Sequence, residues 1–268
     1  MLSDPTDFRG GVAVITGAGS GIGAGLVTYA AGLGMRVALA DVNVDAIGRR
    51  GAEMDAKGVE TIVRRVDVSV PEDLEALAEE VYSTWGTVTI LVNNAGVELH
   101  GNTWELPVEM WQRIISINLS GVFYGIRAFV PRMIKQPGRA HVVNIASVAA
   151  LRINPGTSAY AATKHGTLAL TECLAAELVP VSDKVIVTAV LPGAVRTKIF
   201  ENAMLADTDG VGARGNRQGI EVLASTGIDP VKAAEIIFRG AGRGELRVHT
   251  HPELSRASIE ERAKALSF

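Results

Sequence analysis

Short β-branched runs alternate with longer segments of helical periodicity along this chain, and this alternation constrains the fold more than any other feature. Parallel strands need a crossover connection, usually a helix, so such alternation is typical of a parallel sheet covered on both faces. Seven runs have the length and composition of strands: 12–16, 36–41, 61–66, 88–93, 141–146, 185–191 and 245–249. The sequence therefore predicts an α/β fold built on a doubly wound parallel sheet of seven strands.

Length and composition predict a single globular domain. The chain has 268 residues, of which 47% are hydrophobic and 21% charged, so a sizeable core can form. No linker rich in proline, glycine or serine divides it, and no internal repeat is visible, so we expect one domain over residues 1–268. Gly210, Gly212, Gly215 and Gly219 fall close together in segment 198–227, which we interpret as a flexible substrate flap.

Charge and cysteine content restrict the partners and the compartment. The chain has 26 basic and 29 acidic side chains, a net charge of -3, and no long run of one sign, so nucleic acid is not expected as the main partner. The single cysteine, Cys173, excludes an intramolecular disulfide, and we interpret it as a small buried hydrophobe. Residues 1–11, with Asp4 and Asp7, do not resemble a signal peptide, and apolar runs such as 185–191 are too short to cross a bilayer. We therefore expect a cytoplasmic protein without a membrane partner.

The best-marked helix follows Ser69. Ser69 and Glu72 have the Ser-x-x-Glu spacing of a capping box, Pro71 suits the first helical turn, and Gly86 suits the residue after the last turn. Apolar side chains between these signals recur at helical spacing, so they form one stripe that a sheet must cover.

A glycine-rich turn directly follows the first predicted strand. Thr16-Gly17-Ala18-Gly19-Ser20-Gly21-Ile22-Gly23 leads into a segment that is apolar at helical spacing, which gives strand, turn and helix in that order. Glycine permits positive φ and close approach of a ligand, and a helix N-terminus offers unpaired N–H groups to an anion. The turn therefore suits a pyrophosphate, although its spacing differs from the general G-x-G-x-x-G and also suits a plain tight turn.

Asp41 ends the second predicted strand, where a dinucleotide-binding fold uses a carboxylate to hold the ribose diol of NAD. A carboxylate repels the 2′-phosphate of NADP, and neither Val42 nor Asn43 supplies the positive charge that NADP needs. These residues therefore favour NAD as the cofactor. The alternative is that Asp41 only caps the helix that follows.

Tyr160 and Lys164 are four residues apart, which places both on one face of a helix. A free tyrosine has a pKa of about 10, too high for a base at neutral pH, but a neighbouring ammonium group favours the phenolate. We therefore expect Lys164 to lower the pKa of Tyr160. Ser147 follows the fifth predicted strand, at the edge where open α/β sheets bind ligands, so its hydroxyl is expected to hold a substrate oxygen.

Taken together, these motifs resemble those of the short-chain dehydrogenase/reductase family, in order and spacing, from Gly10 to about Thr250. The resemblance implies a Rossmann-type sheet in the strand order 3-2-1-4-5-6-7, and an oxidoreductase that moves a hydride between NAD and a carbinol carbon. The further motifs that carry it are Asp67-Val68 after the third strand, Asn93-Asn94-Ala95-Gly96 after the fourth, Asn118 in Ile117-Asn118-Leu119, Pro192-Gly193 after the sixth, and Val195 and Thr197 beyond.

The resemblance also implies four catalytic residues. Tyr160 exchanges a proton with the substrate oxygen, and Ser147 polarises the carbonyl and stabilises alkoxide charge. Lys164 binds the nicotinamide ribose and passes protons to solvent through a water held near Asn118.

Further residues are expected to bind the cofactor. By this resemblance Asp67 and Val68 flank the adenine, whereas Val195 and Thr197 meet the nicotinamide carboxamide or the pyrophosphate. Asn94 either lines the cofactor cleft or ties neighbouring strands together by hydrogen bonds. The predicted set is Gly17, Ser20, Gly21, Ile22, Gly23, Asp41, Asp67, Val68, Asn94, Ala95, Gly96, Tyr160, Lys164, Pro192, Gly193, Val195 and Thr197.

The substrate is predicted only by class. Segments 98–101, 149–154 and 198–227, with Ala194 and Val195, follow strand ends near the reacting carbon. Glu98, His100 and Arg152 either hold a polar group or face water. Apolar side chains in these segments favour a hydrophobic or cyclic secondary alcohol or ketone: Ala149, Ala150, Leu151, Ile153 and Val195. A cis-dihydrodiol dehydrogenase with the same four catalytic residues, or a non-catalytic NAD-sensing protein, remains an alternative.

Two other features lead to a metal prediction and an oligomer prediction. His249 and His251 alternate on a strand with no third ligand nearby, so we expect a hydrogen-bonded surface pair and no metal site.

The segments 107–135 and 158–179 are more apolar than covering one sheet face requires. By analogy with the family, we expect a homodimer or homotetramer formed through these helices.

Overall fold

The computed structural model describes residues 8–207 and 209–267, so Asp4 and Asp7 lie outside the described part. Seven strands form one parallel sheet in the order β3-β2-β1-β4-β6-β7-β9, and β5 pairs with β8 in a small parallel sheet. With the two short strands set aside, this is the predicted order, so the fold prediction is confirmed. The strands are β1 (Val12–Thr16), β2 (Arg36–Asp41), β3 (Thr61–Arg65), β4 (Ile90–Asn93), β5 (Leu99–His100), β6 (Ala140–Ile145), β7 (Val185–Leu191), β8 (Met204–Leu205) and β9 (Arg247–His249).

Helices connect the strands and cover both faces of the large sheet. A π-helical turn, Ser116–Ser120, joins the helices Val108–Ile115 and Gly121–Lys135. A 3₁₀ turn, Val148–Ala150, follows β6. The helices are α1 (Gly21–Gly32), α2 (Val44–Asp55), α3 (Pro71–Trp85), α4 (Val108–Ile115), α5 (Gly121–Lys135), α6 (Ser158–Leu178), α7 (Val211–Thr226), α8 (Pro230–Gly242) and α9 (Pro252–Leu266).

Each face of the sheet has its own core because side chains alternate along a strand. In β1, Val12 and Val14 face α3, α5 and the end of α6, whereas Ala13 and Ile15 face α1, α2 and α8. All four are fully buried. Burial on both faces is the reason that the strands read as continuous apolar runs in the sequence.

The helix predicted after Ser69 exists, but the capping box does not. The N-cap of α3 is Val70, and the Ser69 hydroxyl donates to Asp67 Oδ1 at 2.6 Å. The Asp73 carboxylate instead accepts from Asp67 N–H at 2.8 Å. Gly86 ends the helix in the left-handed region with φ 76°, as its position predicts.

The glycine-rich segment 198–227 is largely helical, since α7 occupies its second half. Its glycines allow close packing: a Cβ on Gly212 would lie 2.9 Å from the backbone N of Gly101, and one on Gly219 would lie 2.8 Å from the Phe200 ring. The helix therefore lies directly against β5 and the loop before β8. That this segment moves as a flap stays a prediction.

The continuous helical run Val108–Lys135 is long and apolar enough to cross a membrane by length and composition alone, and its most apolar 18-residue window has a mean hydropathy of 1.4. Half of its most apolar window is buried, and Val122 and Phe129 belong to the core against the sheet. Its packing in this fold is therefore that of a core helix.

Several large apolar side chains remain exposed near α4 and α5. Trp104 is 81% exposed, and Val108 and Phe123 are also largely exposed. A homo-oligomer through this face stays a prediction.

On α6, Cys173 is exposed, so its interpretation as a buried hydrophobe is wrong.

Candidate active site

The carboxyl ends of the large sheet's strands open into a cleft with a volume of about 1500 Å³. Its glycine-turn end lies where β1 neighbours both β2 and β4, the reversal point at which open α/β sheets bind ligands. Gly23 and Asn118 do not line the cleft. The other predicted site residues do: Gly17, Ser20, Gly21, Ile22, Asp41, Asp67, Val68, Asn94, Ala95, Gly96, Ser147, Tyr160, Lys164, Pro192, Gly193, Val195 and Thr197.

The glycine turn is built to receive an anion. Gly17 and Gly21 adopt positive φ, 64° and 52°, which L side chains rarely tolerate. Ser20 is the N-cap of α1 and makes no side-chain capping bond, so the first amides of the helix stay available on the cleft side. These residues fit the pyrophosphate of a dinucleotide.

Gly23 has a packing role. A Cβ there would lie 2.0 Å from the carbonyl oxygen of Gly17 and 2.7 Å from Asn94 Nδ2. Any side chain would therefore push α1 away from the turn. Gly23 therefore supports the turn from behind, and direct binding of the cofactor by its backbone stays a prediction.

Asn94 ties β4 to the glycine turn. Its Nδ2 donates to the carbonyl oxygens of Thr16 at 2.8 Å and Gly17 at 3.2 Å, and its N–H donates to Thr16 Oγ1 at 3.0 Å. Of the two roles left open by the sequence, the structural one is therefore present, at a residue that also lines the cleft.

Asp41 lies at the end of β2 beside the glycine turn. Its Oδ2 accepts from Gly19 N–H at 3.0 Å and its Oδ1 accepts from Asn43 N–H at 2.9 Å. The alternative that Asp41 caps the next helix is wrong, because Asn43 caps α2 by accepting from Ala46 N–H. Asp41 thus presents its carboxylate to the cleft beside the glycine turn.

Asp67 and Thr197 lie at different points along the cleft wall. Asp67 Oδ1 accepts from both the N–H and the hydroxyl of Ser69, and the hydroxyl bond is the main reason that its pKa is lowered. Asp67 is therefore an acceptor at neutral pH. The Thr197 side chain lies close over Gly21, since a Cβ on that glycine would be 3.0 Å from Thr197 Cγ2.

Asn118 is fully buried in the π-helical turn and acts on the backbone. Its Oδ1 accepts from Val97 N–H at 2.8 Å, and its Nδ2 donates to Val97 O at 2.9 Å and more weakly to Thr163 Oγ1. A π-turn places its side chain where a regular helix would not. Asn118 therefore anchors the segment after β4, which carries Gly96 and Glu98 into the cleft.

Tyr160, Ser147 and Lys164 meet at one end of the cleft. The Ser147 hydroxyl lies near enough to the Tyr160 phenol to lower its pKa, and it accepts from Ala149 N–H at 3.1 Å. Lys164 Nζ lies 5.5 Å from the centre of the Tyr160 ring and donates to Ile145 O at 2.9 Å. All three side chains are buried, so their charges are poorly screened.

The expected lowering of the Tyr160 pKa is wrong for this structure. Burial raises the pKa of Tyr160, the nearby Glu98 carboxylate raises it further, and the Ser147 hydrogen bond only partly opposes them. Burial also lowers the pKa of Lys164 to about 8, an effect that Glu98 partly offsets. Sequence spacing did not reveal these opposing effects because Glu98 lies far from Tyr160 along the chain.

The substrate end of the cleft is less apolar than predicted. Ala149 and Val195 line it, but Ala150 and Leu151 pack into a small core with Leu191. Ile153 is exposed. Of the five apolar residues that favoured a hydrophobic substrate, only Ala149 and Val195 therefore line the cleft.

Glu98 and His100 do not face bulk water, because they are only 4% and 3% exposed and both line the cleft. Burial raises the pKa of Glu98 to about 8, partly opposed by the Leu99 amide and by Lys164. Burial likewise lowers the pKa of His100, and Asp207 opposes this. The sequence placed both residues in segment 98–101, after a strand end, but did not show that they are buried.

His251 also lines the cleft, which the sequence interpretation missed. Its Nδ1 is 2.8 Å from Thr250 Oγ1, so its partner is not His249. Among residues 8–207 and 209–267, no group of three or more His, Cys, Asp or Glu side chains is arranged to hold a metal ion.

A family model described as short chain dehydrogenase matches residues 11–207, most of the chain. This chain is a short-chain dehydrogenase/reductase. The family was predicted from the motifs, and that prediction is confirmed. The dehydrogenase/reductase family comprises oxidoreductases, and this fixes the general class of the chemistry.

Several relatives resemble this dehydrogenase/reductase over nearly its whole length. It is 34% identical to the putative oxidoreductase SadH of Mycobacterium tuberculosis over 98% of this chain and 94% of that protein. It is 35% identical to a cyclohexanol dehydrogenase of Acinetobacter, over 87% of this chain and 95% of the relative. A crystal structure of a short-chain dehydrogenase/reductase from Burkholderia phymatum in complex with NAD superposes with a TM-score of 0.91 at 32% identity, covering 98% of this chain and 97% of the other.

Proposed function

We propose that this dehydrogenase/reductase is NAD-dependent and interconverts a secondary alcohol, hydrophobic or cyclic in its carbon frame, and the corresponding ketone. The observation that carries the proposal is a single cleft with the glycine turn and Asp41 at one end and Tyr160, Ser147 and Lys164 at the other. The cyclohexanol dehydrogenase among the relatives supports a cyclic alcohol as substrate class.

Nicotinamide, when bound, supplies the hydride acceptor for alcohol oxidation or the hydride donor for ketone reduction. In ketone reduction Tyr160, which keeps its proton because its pKa is raised, gives that proton to the forming alkoxide. In alcohol oxidation Tyr160 first releases this proton to solvent, and its phenolate then takes the hydroxyl proton as the carbon loses hydride. Ser147 lies beside Tyr160 in the cleft, so its hydroxyl is placed to hold the same oxygen and stabilise charge on it. Lys164, with its pKa near 8, is cationic at neutral pH and opposes the charge of a Tyr160 phenolate.

NAD, in preference to NADP, is proposed because of the charge at Asp41. The Asp41 carboxylate lies against the glycine turn, and Val42 and Asn43 beside it line the cleft without positive charge. A 2′-phosphate placed there would be repelled. The relative crystallised with NAD is consistent with this preference.

A panel of secondary alcohols and ketones, each assayed with NAD and with NADP by the absorbance of reduced nicotinamide, tests the proposal. We expect turnover of cyclic alcohols with NAD. Tyr160→Phe should lower kcat by at least about 10²-fold while leaving the dissociation constant of NADH nearly unchanged. Tyr29→Phe, a matched change on α1 away from Tyr160, should leave both unchanged.

Each alternative has its own outcome in this assay. Unchanged turnover in Tyr160→Phe would refute the proposed role of the phenol, and a preference for NADP would refute the proposed role of Asp41. Tight NADH binding without turnover of any alcohol or ketone would favour an NAD-sensing protein. Formation of a catechol from a cis-dihydrodiol would identify the cis-dihydrodiol dehydrogenase.

A further inference from the structure

Glu98 and His100 form a buried polar pair beside the proposed reaction centre. They flank Leu99 on β5, so both side chains lie on one side of that strand, with Glu98 Oε1 3.8 Å from His100 Nε2. Both are more than nine-tenths buried and line the cleft that also contains Tyr160 and Lys164. Acidic and imidazole groups are rarely buried at such a place without a polar partner.

The pair is poorly supplied with hydrogen-bond partners in the part of the chain described here. Neither Nδ1 nor Nε2 of His100 has one, although both atoms are buried. The one hydrogen bond found for the Glu98 carboxylate is a long contact of 3.3 Å from the neighbouring Leu99 N–H. Unpaired buried polar atoms destabilise a fold, so these atoms are best explained by a ligand that pairs with them.

The groups packed around the pair favour an uncharged ligand atom. The His100 ring packs against the Phe200 ring, with centroids 5.6 Å apart, and against the bare backbone of Gly215 in α7. The Asp207 carboxylate acts on His100 from the segment between β8 and α7 but accepts from three backbone amides, those of Gly210, Gly212 and Ala213. On the other side, Lys164 acts on Glu98 and is already bonded to Ile145 O.

We propose that Glu98 and His100 together bind a second, uncharged oxygen of the substrate, so that the preferred substrates are diols or hydroxyketones and not simple alcohols. This inference rests on the proposed function, because the first oxygen is the one held by Tyr160 and Ser147. A protonated Glu98 donates a hydrogen bond, and a neutral imidazole offers one donor and one acceptor. This set matches a hydroxyl or ketone oxygen better than a carboxylate.

The test compares cyclohexanol with cis- and trans-1,2-cyclohexanediol, using NAD, in the wild type and in variants. We expect the better diol to exceed cyclohexanol in kcat/KM by about tenfold, as two to three net hydrogen bonds allow. In Glu98→Leu and His100→Phe that ratio should fall to about one. Glu98→Gln, which keeps a donor and an acceptor, should restore part of it, and Glu260→Gln on the exposed face of α9 should not change it.

A binding measurement without turnover covers the case in which the proposed function fails. Calorimetric titration of the NADH-loaded protein with the same alcohols should give tighter binding of a diol than of cyclohexanol. This difference should be lost in His100→Asn, only partly reduced in Glu98→Gln and unchanged in Glu260→Gln. Should a leucine or phenylalanine variant not fold, these polar variants provide the same comparison.

The outcomes separate the two proposals. Turnover of cyclohexanol and both diols with equal kcat/KM would overturn the second-oxygen inference and leave the proposed function standing. Absence of turnover together with a diol preference in binding would overturn the function and support the inference. Preference for 2-hydroxycyclohexanecarboxylate over the diols would overturn the assignment to an uncharged oxygen and point to Arg152, whose buried Nε also lacks a partner in the described chain.

Discussion

Replacing Glu98 by glutamine should change how the stability of the protein depends on pH. The folded state raises the pKa of this carboxyl from 4.5 to about 8, because burial disfavours its charge. Between these two pH values the folded protein keeps a proton that the unfolded chain releases, so the free energy of unfolding falls as pH rises. Lys164, whose pKa is lowered to about 8, is protonated in both states over most of this range and adds little slope.

The size of this change in the free energy of unfolding follows from how far the pKa of Glu98 is raised. Integrated from about pH 5 to about pH 8, the raised pKa of Glu98 lowers the free energy of unfolding by about 3 kcal/mol. Glu98→Gln has nearly the same shape and does not titrate, so it should lack this loss and become more stable than the wild type at the upper pH.

Urea unfolding without cofactor, followed by circular dichroism at several pH values, measures this difference. Glu260→Gln should follow the wild type, because Glu260 is exposed on α9. Parallel pH profiles for the wild type and Glu98→Gln would refute the reasoning, since they would mean that Glu98 ionises in the folded protein as it does in water. Glu98 would then be unable to donate a hydrogen bond to a substrate oxygen.

Three further substitutions test the cofactor end and the backbone around it. Asp41→Asn keeps an acceptor but removes the charge, so the ratio of NADP to NAD dissociation constants should fall by about tenfold in fluorescence titrations; an unchanged ratio would contradict the charge argument. Gly23→Ala should weaken NADH binding by at least about tenfold because its methyl group meets the turn, whereas Gly32→Ala, with open space around it, should not. Asn118→Leu leaves both backbone groups of Val97 unpaired and should cost about 3 kcal/mol of stability, measured by thermal unfolding; a loss below about 1 kcal/mol would show that the backbone re-pairs elsewhere.

Local sequence signals were sufficient for the parts of the fold whose causes are local. The strand β7 was predicted with its observed bounds because a continuous apolar run is what a strand buried on both faces requires. The glycine turn was recognised because positive φ restricts the residues that can occupy it. Where two local signals competed, as at Ser69, the sequence did not decide which acceptor the hydroxyl would bind.

The direction of the Tyr160 pKa could not be predicted from the four-residue spacing to Lys164. That spacing correctly places the two side chains on one helix, but the pKa depends on how much water reaches the phenol and on charges from other elements. The Glu98 carboxylate comes from the residue directly before β5, and Asn118, in the turn between α4 and α5, helps to position this segment by bonding the backbone of Val97.

The sequence by itself determined the order of strands and helices, the glycine turn after β1 and the placement of Tyr160 and Lys164 on one helix, because periodicity and backbone restrictions are properties of neighbouring residues. Only the tertiary structure decided that Glu98 and His100 are buried together in the cleft, that Gly23 supports the turn from behind, and that Asn118 holds the backbone of Val97. The physical reason is that desolvation and close packing depend on segments brought together from distant parts of the chain, and no local pattern records what will cover a given side chain.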